Sequence, residues 1–247
     1  MKFIQGTVAK RHVWSEGLFT LSVHVPGVQP FKPGQFLQVG MEREGEKHLH
    51  RPYSVASPHG DVLEFFIVKV DGGELTPKLW AMNAGDVIDV SERAAGSFTL
   101  SHTPDADCLW MVATGTGLAP YIAMLRTEET WSRYRKIVLL HGVRFARDLA
   151  YDDELAQYAQ QYPGRFSFLP VVSRERVDQG LHGRITNCLA DGSLECAVHE
   201  KLCPERSAIL LCGNPDMLDE MEKILGERGM QRHKAKAPGQ IVVERYW

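Results

Sequence analysis

Apolar and polar residues change rhythm once along this chain, near residue 100, and the change divides it into two predicted halves. In the first half, short alternating or β-branched runs are punctuated by Gly and Pro, which predicts strands over residues 7–12, 18–25, 36–39, 49–56, 63–70 and 87–91. Turn signals separate them at Pro26-Gly27, Pro33-Gly34, His59-Gly60-Asp61, Gly72-Gly73 and Gly85-Asp86. Short strands joined in this way predict an antiparallel barrel or sandwich, with a short helix over 76–82 to plug or flank it. Residues 101–107, polar and containing Pro104, read as a linker. Beyond it, apolar strands at 108–113, 137–141, 166–172 and 208–212 alternate with helical stretches at 118–128, 149–162 and 215–228, a shorter one at 185–190, and a last strand at 240–247. That alternation predicts a parallel sheet covered by helices on both faces. The expected domains are residues 1–100 and 107–247.

Composition narrows the classes. A chain of 247 residues with 44% hydrophobic content is long enough for two domains with separate cores, or for one large one. A net charge of −3 with 24% charged residues speaks against a general nucleic-acid binder. No basic, apolar and small-residue leader pattern and no run of 18 apolar residues occurs, so the expectation is a cytoplasmic chain without a membrane partner. The five cysteines are scattered without a Cys-x-x-Cys pair, which indicates neither a disulfide framework nor an iron–sulfur cluster. His48 and His50 alternate on one predicted strand but lack a third ligand, so no metal site is expected.

Arg51-Pro52-Tyr53-Ser54 places a guanidinium, an aromatic ring and a small hydroxyl on one predicted strand. Alternation sends Arg51 and Tyr53 to one side and Ser54 to the other. The segment is either an ordinary strand with polar surface residues or a flavin site. A flavin would use the Arg51 fork for its diphosphate, Tyr53 for stacking and Ser54 as a donor near N5.

After the strand at 108–113 comes Thr114-Gly115-Thr116-Gly117-Leu118-Ala119-Pro120. Glycines at a strand–turn–helix junction allow close backbone approach to a diphosphate, although a structural turn has the same letters. Pro120 stands where a strict dinucleotide loop has Gly, and proline is tolerated in a first helical turn. The next strand runs into His141-Gly142-Val143-Arg144, where an NAD site would carry a carboxylate; a guanidinium there suits the extra phosphate of NADP. Ser173-Arg174 and Gly183-Arg184 lie at or beyond the ends of later strands, so the three arginines can converge on one phosphate. Cys212-Gly213-Asn214-Pro215 ends the fourth strand, where the thiol either touches a nicotinamide or packs under the sheet.

With these motifs in order, together with Gly-Gly-Glu-Leu-Thr-Pro at 72–77, Cys-Gly-x-x-x-Met at 212–217 and Glu-x-Tyr at 244–246, the chain resembles the bacterial ferredoxin/flavodoxin–NADP+ reductase family from near residue 5 to Trp247. The resemblance implies an N-terminal six-stranded FAD barrel, a C-terminal NADP domain, non-covalent FAD, and hydride exchange with NADP(H) coupled to ferredoxin or flavodoxin. It implies that Arg51, Pro52, Tyr53 and Ser54 line the flavin, and that Phe66, Ile67 and Val68 meet the adenosine part. Glu74, Leu75 and Thr76 would close over the phosphates, Thr116 would lie between flavin and nicotinamide, Tyr246 would shield the flavin, and Trp247 would stack on the adenine. For NADP it implies Thr116, Val143, Arg144, Ser173, Arg174, Arg184, Cys212, Gly213, Asn214 and Asp216. It further implies that Ser54, Cys212 and Glu244 would form the polar set around the hydride path.

A terminal Tyr-Trp pair against FAD is expected to slow nicotinamide entry and hence turnover. A basic stretch at Arg228, Arg232, His233, Lys234 and Lys236 is either a solvated loop or the docking surface of an acidic carrier. The expected assembly is a monomer. Alternatives are an NADPH-dependent flavin or oxygenase reductase on the same scaffold and a non-catalytic nucleotide-binding redox sensor.

Overall fold

A computed structural model describes residues 1–41, 49–234 and 236–245. The chain divides into two units: residues 1–99 with 119–127, and residues 100–118 with 128–247.

The first unit is an antiparallel sheet of six strands, β1 (Phe3–Ser15), β2 (Leu18–His24), β3 (Phe36–Met41), β4 (Leu49–Ser54), β5 (Val62–Val68) and β6 (Val87–Ser91), in the order β4-β3-β6-β1-β2-β5. Its edges meet. Val55, just past β4, bridges Phe65 of β5, and the Ala56 N–H donates to the Glu64 carbonyl at 2.8 Å, so the sheet closes on itself. Closure removes the unpaired edges an open sheet would present. Inward positions recur every second residue, as Leu37 and Val39 on β3 and Leu63, Phe65 and Ile67 on β5, all buried in one apolar cluster. The helix α1 (Thr76–Ala81) starts with Pro77 in its first turn and adds Leu79, flanked by Leu75 and Met82, to that cluster, so it plugs the barrel.

β1 is longer than the alternation predicted because it bulges. Its register with β2 slips between Val8 and Lys10 and again between Val13 and Ser15, which scrambles the period of two on which the sequence signal rests.

Residues 119–127 count with the barrel by their contacts. The helix α2 (Ala119–Leu125) is buried along its whole length, and Arg126 just beyond it donates through Nη1 to the Ala56 carbonyl at 3.1 Å and to Glu64 Oε2 at 2.7 Å. The single helix expected over 118–128 is in fact broken: the Thr127 hydroxyl donates to the Met124 carbonyl at 2.6 Å and ends α2, and α3 (Glu128–Arg133) starts afresh.

The second unit is a parallel sheet of β7 (Cys108–Thr114), β8 (Lys136–Val143), β9 (Phe166–Val172), β10 (Leu181–His182), β11 (Ser207–Gly213) and β12 (Ile241–Arg245), in the order β10-β9-β8-β7-β11-β12. The central strands are buried along nearly their whole length, as a sheet covered on both faces requires. One face, with Trp110, Val112, Val138, Leu140, Ile209 and Leu211, packs against α5 (Ile185–Ala190), α6 (Ser193–Val198) and α7 (Pro215–Glu227). The remaining helix is α4 (Asp152–Gln161). Among the described residues no helix is long and apolar enough to cross a membrane.

Candidate functional site

On the barrel, β3 pairs with β4 so that Val39 faces Arg51, Leu37 faces Tyr53 and Phe36 faces Ser54. Arg51 is exposed and donates to the His50 carbonyl at 2.9 Å, while Tyr53 is half-buried against the barrel core and Ser54 is buried. Burial pushes the Tyr53 phenol up to about 12 despite the opposing pull of Arg51, so the ring stays neutral. Around β5, Phe66 and Ile67 are buried and Val68 is 41% exposed. The loop after β5 folds on itself: the Val70 N–H donates to Thr76 Oγ1 at 2.8 Å, leaving the Thr76 hydroxyl proton to donate elsewhere. Glu74 beside it is exposed and Leu75 is buried in the core cluster.

In the second unit, residues Gly115–Leu118 form a 3₁₀ turn at the carboxyl end of β7. Gly115 sits at φ +52°, and no atom of the described residues lies within 4 Å of where a Cβ would project, so among them that side of the turn is open. Gly117 is the opposite case, because a Cβ there would meet the Cys212 carbonyl oxygen at 2.5 Å. The two glycines answer different needs, one an unusual backbone angle and the other close approach to β11. Thr114 ties the same two strands, its Oγ1 accepting from the Asn214 N–H at 2.7 Å. Asn214 caps α7 by accepting from the N–H groups of Asp216 (2.9 Å) and Met217 (3.3 Å), so its Oδ1 is already engaged.

Pairing of the strands brings Pro170, His141, Ala113, Cys212 and Glu244 into one row across the sheet, near its carboxyl edge. Residues so paired project from the same face. Cys212 is fully buried in it. Glu244 is partly buried, and loss of solvent raises its carboxyl from 4.5 to about 7. His141 is fully buried, and desolvation lowers its imidazole to about 4 although its contact with the Gly115 carbonyl and the charge of Asp148 act the other way.

The predicted arginines also come together. Beyond β8 and β9 the ladder continues by one step, with the Ser173 N–H donating to the Val143 carbonyl (3.0 Å) and the Arg174 N–H to the Arg144 carbonyl (2.9 Å). Gly183 N–H bonds to the Val172 carbonyl at 2.9 Å and sets Arg184 beside them, at the start of α5. Arg144, Arg174 and Arg184 are all exposed, and among the described residues none of the three guanidinium groups has an ion-pair or hydrogen-bond partner.

The basic stretch before β12 is different. Arg228 donates to Glu195 and to the Leu189 carbonyl, each at 3.0 Å, Arg232 pairs with Glu222, and the His233 ring bonds to the Gly239 carbonyl at 3.1 Å. Only Lys234 and Lys236 of the five are exposed without such a tie among the described residues. Tyr246 and Trp247 lie outside the described residues, as does His48. His141 is the residue that sequence reasoning quoted without giving it a part; a histidine inside an apolar strand next to a glycine was the available signal.

Residues 111–223 match the oxidoreductase NAD-binding domain family. A flavodoxin/ferredoxin–NADP reductase of Shigella flexneri is 40% identical over 247 residues, covering 99% of each chain. A ferredoxin–NADP reductase of Pseudomonas aeruginosa is 33% identical, over 95% of this chain and 93% of that one. Among solved structures, a ferredoxin NADP+ reductase from Neisseria gonorrhoeae with bound FAD and NADP superposes with a TM-score of 0.94 at 32% identity, covering 100% of both chains. A parallel sheet with a glycine turn and exposed arginines at its carboxyl edge and a closed barrel, matched end to end by these relatives, make the chain a member of the flavodoxin/ferredoxin–NADP reductase family.

Proposed function

We propose that this chain is an FAD-dependent oxidoreductase that exchanges electrons between NADP(H) and ferredoxin or flavodoxin, in the cytoplasm. The observation that carries the NADP half of this reading is the trio Arg144, Arg174 and Arg184, exposed and, among the described residues, without partners at the ends of adjoining elements. Unpaired guanidinium groups gathered at the carboxyl edge of a parallel sheet suit a phosphate monoester, here the 2′-phosphate. Val143 and Ser173 fix the backbone from which two of them project. The open side of Gly115 admits a diphosphate, and Thr116 in the same turn adjoins it. Gly213 and Asn214 border the turn from β11, and Asp216 starts the helix behind them.

For FAD, Arg51 is available to the diphosphate, with Pro52 fixing the backbone beside it, and Tyr53 offers a neutral ring face. Ser54 supplies a donor, Phe66, Ile67 and Val68 line the adenosine side, and Glu74, Leu75 and Thr76 cover the phosphates. When bound, FAD supplies the exchange of a hydride for single electrons. The chain's own part is to orient and to manage protons. Cys212 and Glu244 stand side by side on paired strands, and a carboxyl that titrates near neutrality is matched to holding or releasing a proton during turnover.

The test is Arg144→Ala, assayed with NADPH and with NADH. Loss of one charge-assisted contact of about 1.5–3 kcal/mol should raise the NADPH KM roughly ten- to hundredfold. The NADH KM should stay put, and equal losses for both would remove the assignment.

A further inference from the structure

A carbonyl oxygen at the lip of an anion site is a liability, because its lone pairs repel the charge that neighbouring N–H groups attract. Gly115 has such a carbonyl, and the structure shows where it goes. His141 Nε2 lies 3.1 Å from it, and the His141 ring has no exposure to solvent. The oxygen is thus turned toward the buried face of the sheet while the opposite side of Gly115 stays open.

The tautomer follows from the partners. A carbonyl can only accept, so Nε2 must carry the proton. Nδ1 then holds a lone pair, and it has no hydrogen-bond partner among the described residues. Leaving a buried nitrogen unmatched costs about 1–3 kcal/mol, so Leu or Val would serve a purely apolar core better at this point on β8. Both flanking residues of the row, Ala113 on β7 and Pro170 on β9, are small or lack polar side-chain atoms, so neither offers Nδ1 a compensating bond. What the imidazole gains is the single bond to the glycine turn.

We propose that His141 is a positioning residue for dinucleotide binding: its Nε2–H holds the Gly115 carbonyl inward, so that the N–H groups of the 115–118 turn face the ligand's diphosphate. This rests on the reading of that turn as the diphosphate site. The effect acts on the part of the ligand that NADPH and NADH share, and so it differs from that of the arginine trio. On the other side the turn is braced by Gly117 against the Cys212 carbonyl, so that without His141 it would be held from one flank alone.

The test uses the FAD-loaded protein with His141→Gln and His141→Asn. Gln carries its amide nitrogen about as far out as Nε2 and can donate to Gly115, whereas Asn reaches only the Nδ1 position. Losing a hydrogen bond of about 1–1.5 kcal/mol predicts a roughly tenfold weaker Kd for NADP+ and NAD+ alike in the Asn variant, with kcat preserved and near-complete rescue in the Gln variant. Binding of 2′-AMP, which has the 2′-phosphate but no diphosphate, should not change. If the Asn variant loses only thermal stability, or weakens 2′-AMP as well, the role is structural and the proposal is overturned. Gly115→Ala separates the two layers: unchanged NADP+ affinity there removes the diphosphate reading itself, while a loss there with none in His141→Asn removes only the part given to His141. Nitrogen-15 spectra of the unsubstituted protein check the same point without a variant. One imidazole should stay neutral as the Nε2–H tautomer from pH 8 down to about 5, well above the point at which burial lets it protonate. An Nδ1–H tautomer there contradicts the proposal.

Discussion

Replacing Gly117 by Ala adds one methyl group at a place where the structure has no room for it. The new Cβ would stand 2.5 Å from the Cys212 carbonyl oxygen, 2.8 Å from its carbon and 3.0 Å from the Gly213 Cα. All three are backbone atoms of β11, which is paired with β7 on one side and β12 on the other, so they cannot rotate away. Ordinary contact requires a retreat of roughly 1 Å, and the short turn must make it, at a cost of about 1–3 kcal/mol. A displacement of that size at a ligand-orienting turn lowers kcat/KM by up to about a hundredfold. Gly115→Ala is the matched control. Its methyl meets none of the described residues, so its cost is the left-handed backbone angle, about 1 kcal/mol, yet the methyl projects into the space through which the diphosphate would approach. Thermal melts and NADPH kinetics on both variants are the assay. Gly117→Ala should lose more stability than Gly115→Ala, and both should lose NADPH affinity. Wild-type melting and kcat/KM in Gly117→Ala would refute the close-packing argument.

Three other outcomes are expected. Because Glu244 is raised from 4.5 to about 7 in the folded chain, its contribution to stability is complete below the unfolded value and fades as pH rises through about 7. Melting of wild type and Glu244→Gln between pH 4.5 and 8 should therefore diverge by about 1–2 kcal/mol, discounted for partial exposure, and parallel curves would count against the burial of that carboxyl. Charge reversal at Lys234 and Lys236, the two of these basic residues without a side-chain tie among the described residues, should raise the carrier's KM and flatten its salt dependence while NADPH–ferricyanide activity persists; equal loss in both activities would exclude docking there. Arg126→Met should destabilise the barrel unit by about 1–3 kcal/mol, because the Ala56 carbonyl and Glu64 lose their shared donor, and unchanged chemical denaturation would contradict this.

Much of the fold was legible because the hydrophobic period is undisturbed where both faces of a strand are covered. The runs at 108–113 and 208–212 predicted β7 and β11 closely for this reason. The barrel strand β1 was legible only at its centre, since two bulges break its alternation. Thr127 looked like one more helical residue until its hydroxyl proved to close α2. The short α6 lies too close to α5 for either to develop a full amphipathic period, so sequence pattern separated only the first. The arginines at 144, 174 and 184 were readable because strand ends can be located from turn signals, and the ladder then fixed their proximity. Which of the basic residues near 228–236 are already neutralised was not readable, since their partners Glu195 and Glu222 lie on other helices. The row from Pro170 to Glu244 depends on the registers of four strand pairs, which no local pattern encodes.

The central claim is that NADPH delivers its hydride to FAD held by this chain. Its most direct measurement is a single-turnover experiment under nitrogen, in which the purified protein is mixed with one equivalent of NADPH and the visible absorption of bound flavin is followed. The account predicts a yellow protein that bleaches with NADPH at far lower concentration than with NADH and regains its colour when oxidised flavodoxin or ferredoxin is added. A colourless protein that takes up no FAD, or a yellow one that bleaches equally well with either nicotinamide, would contradict it.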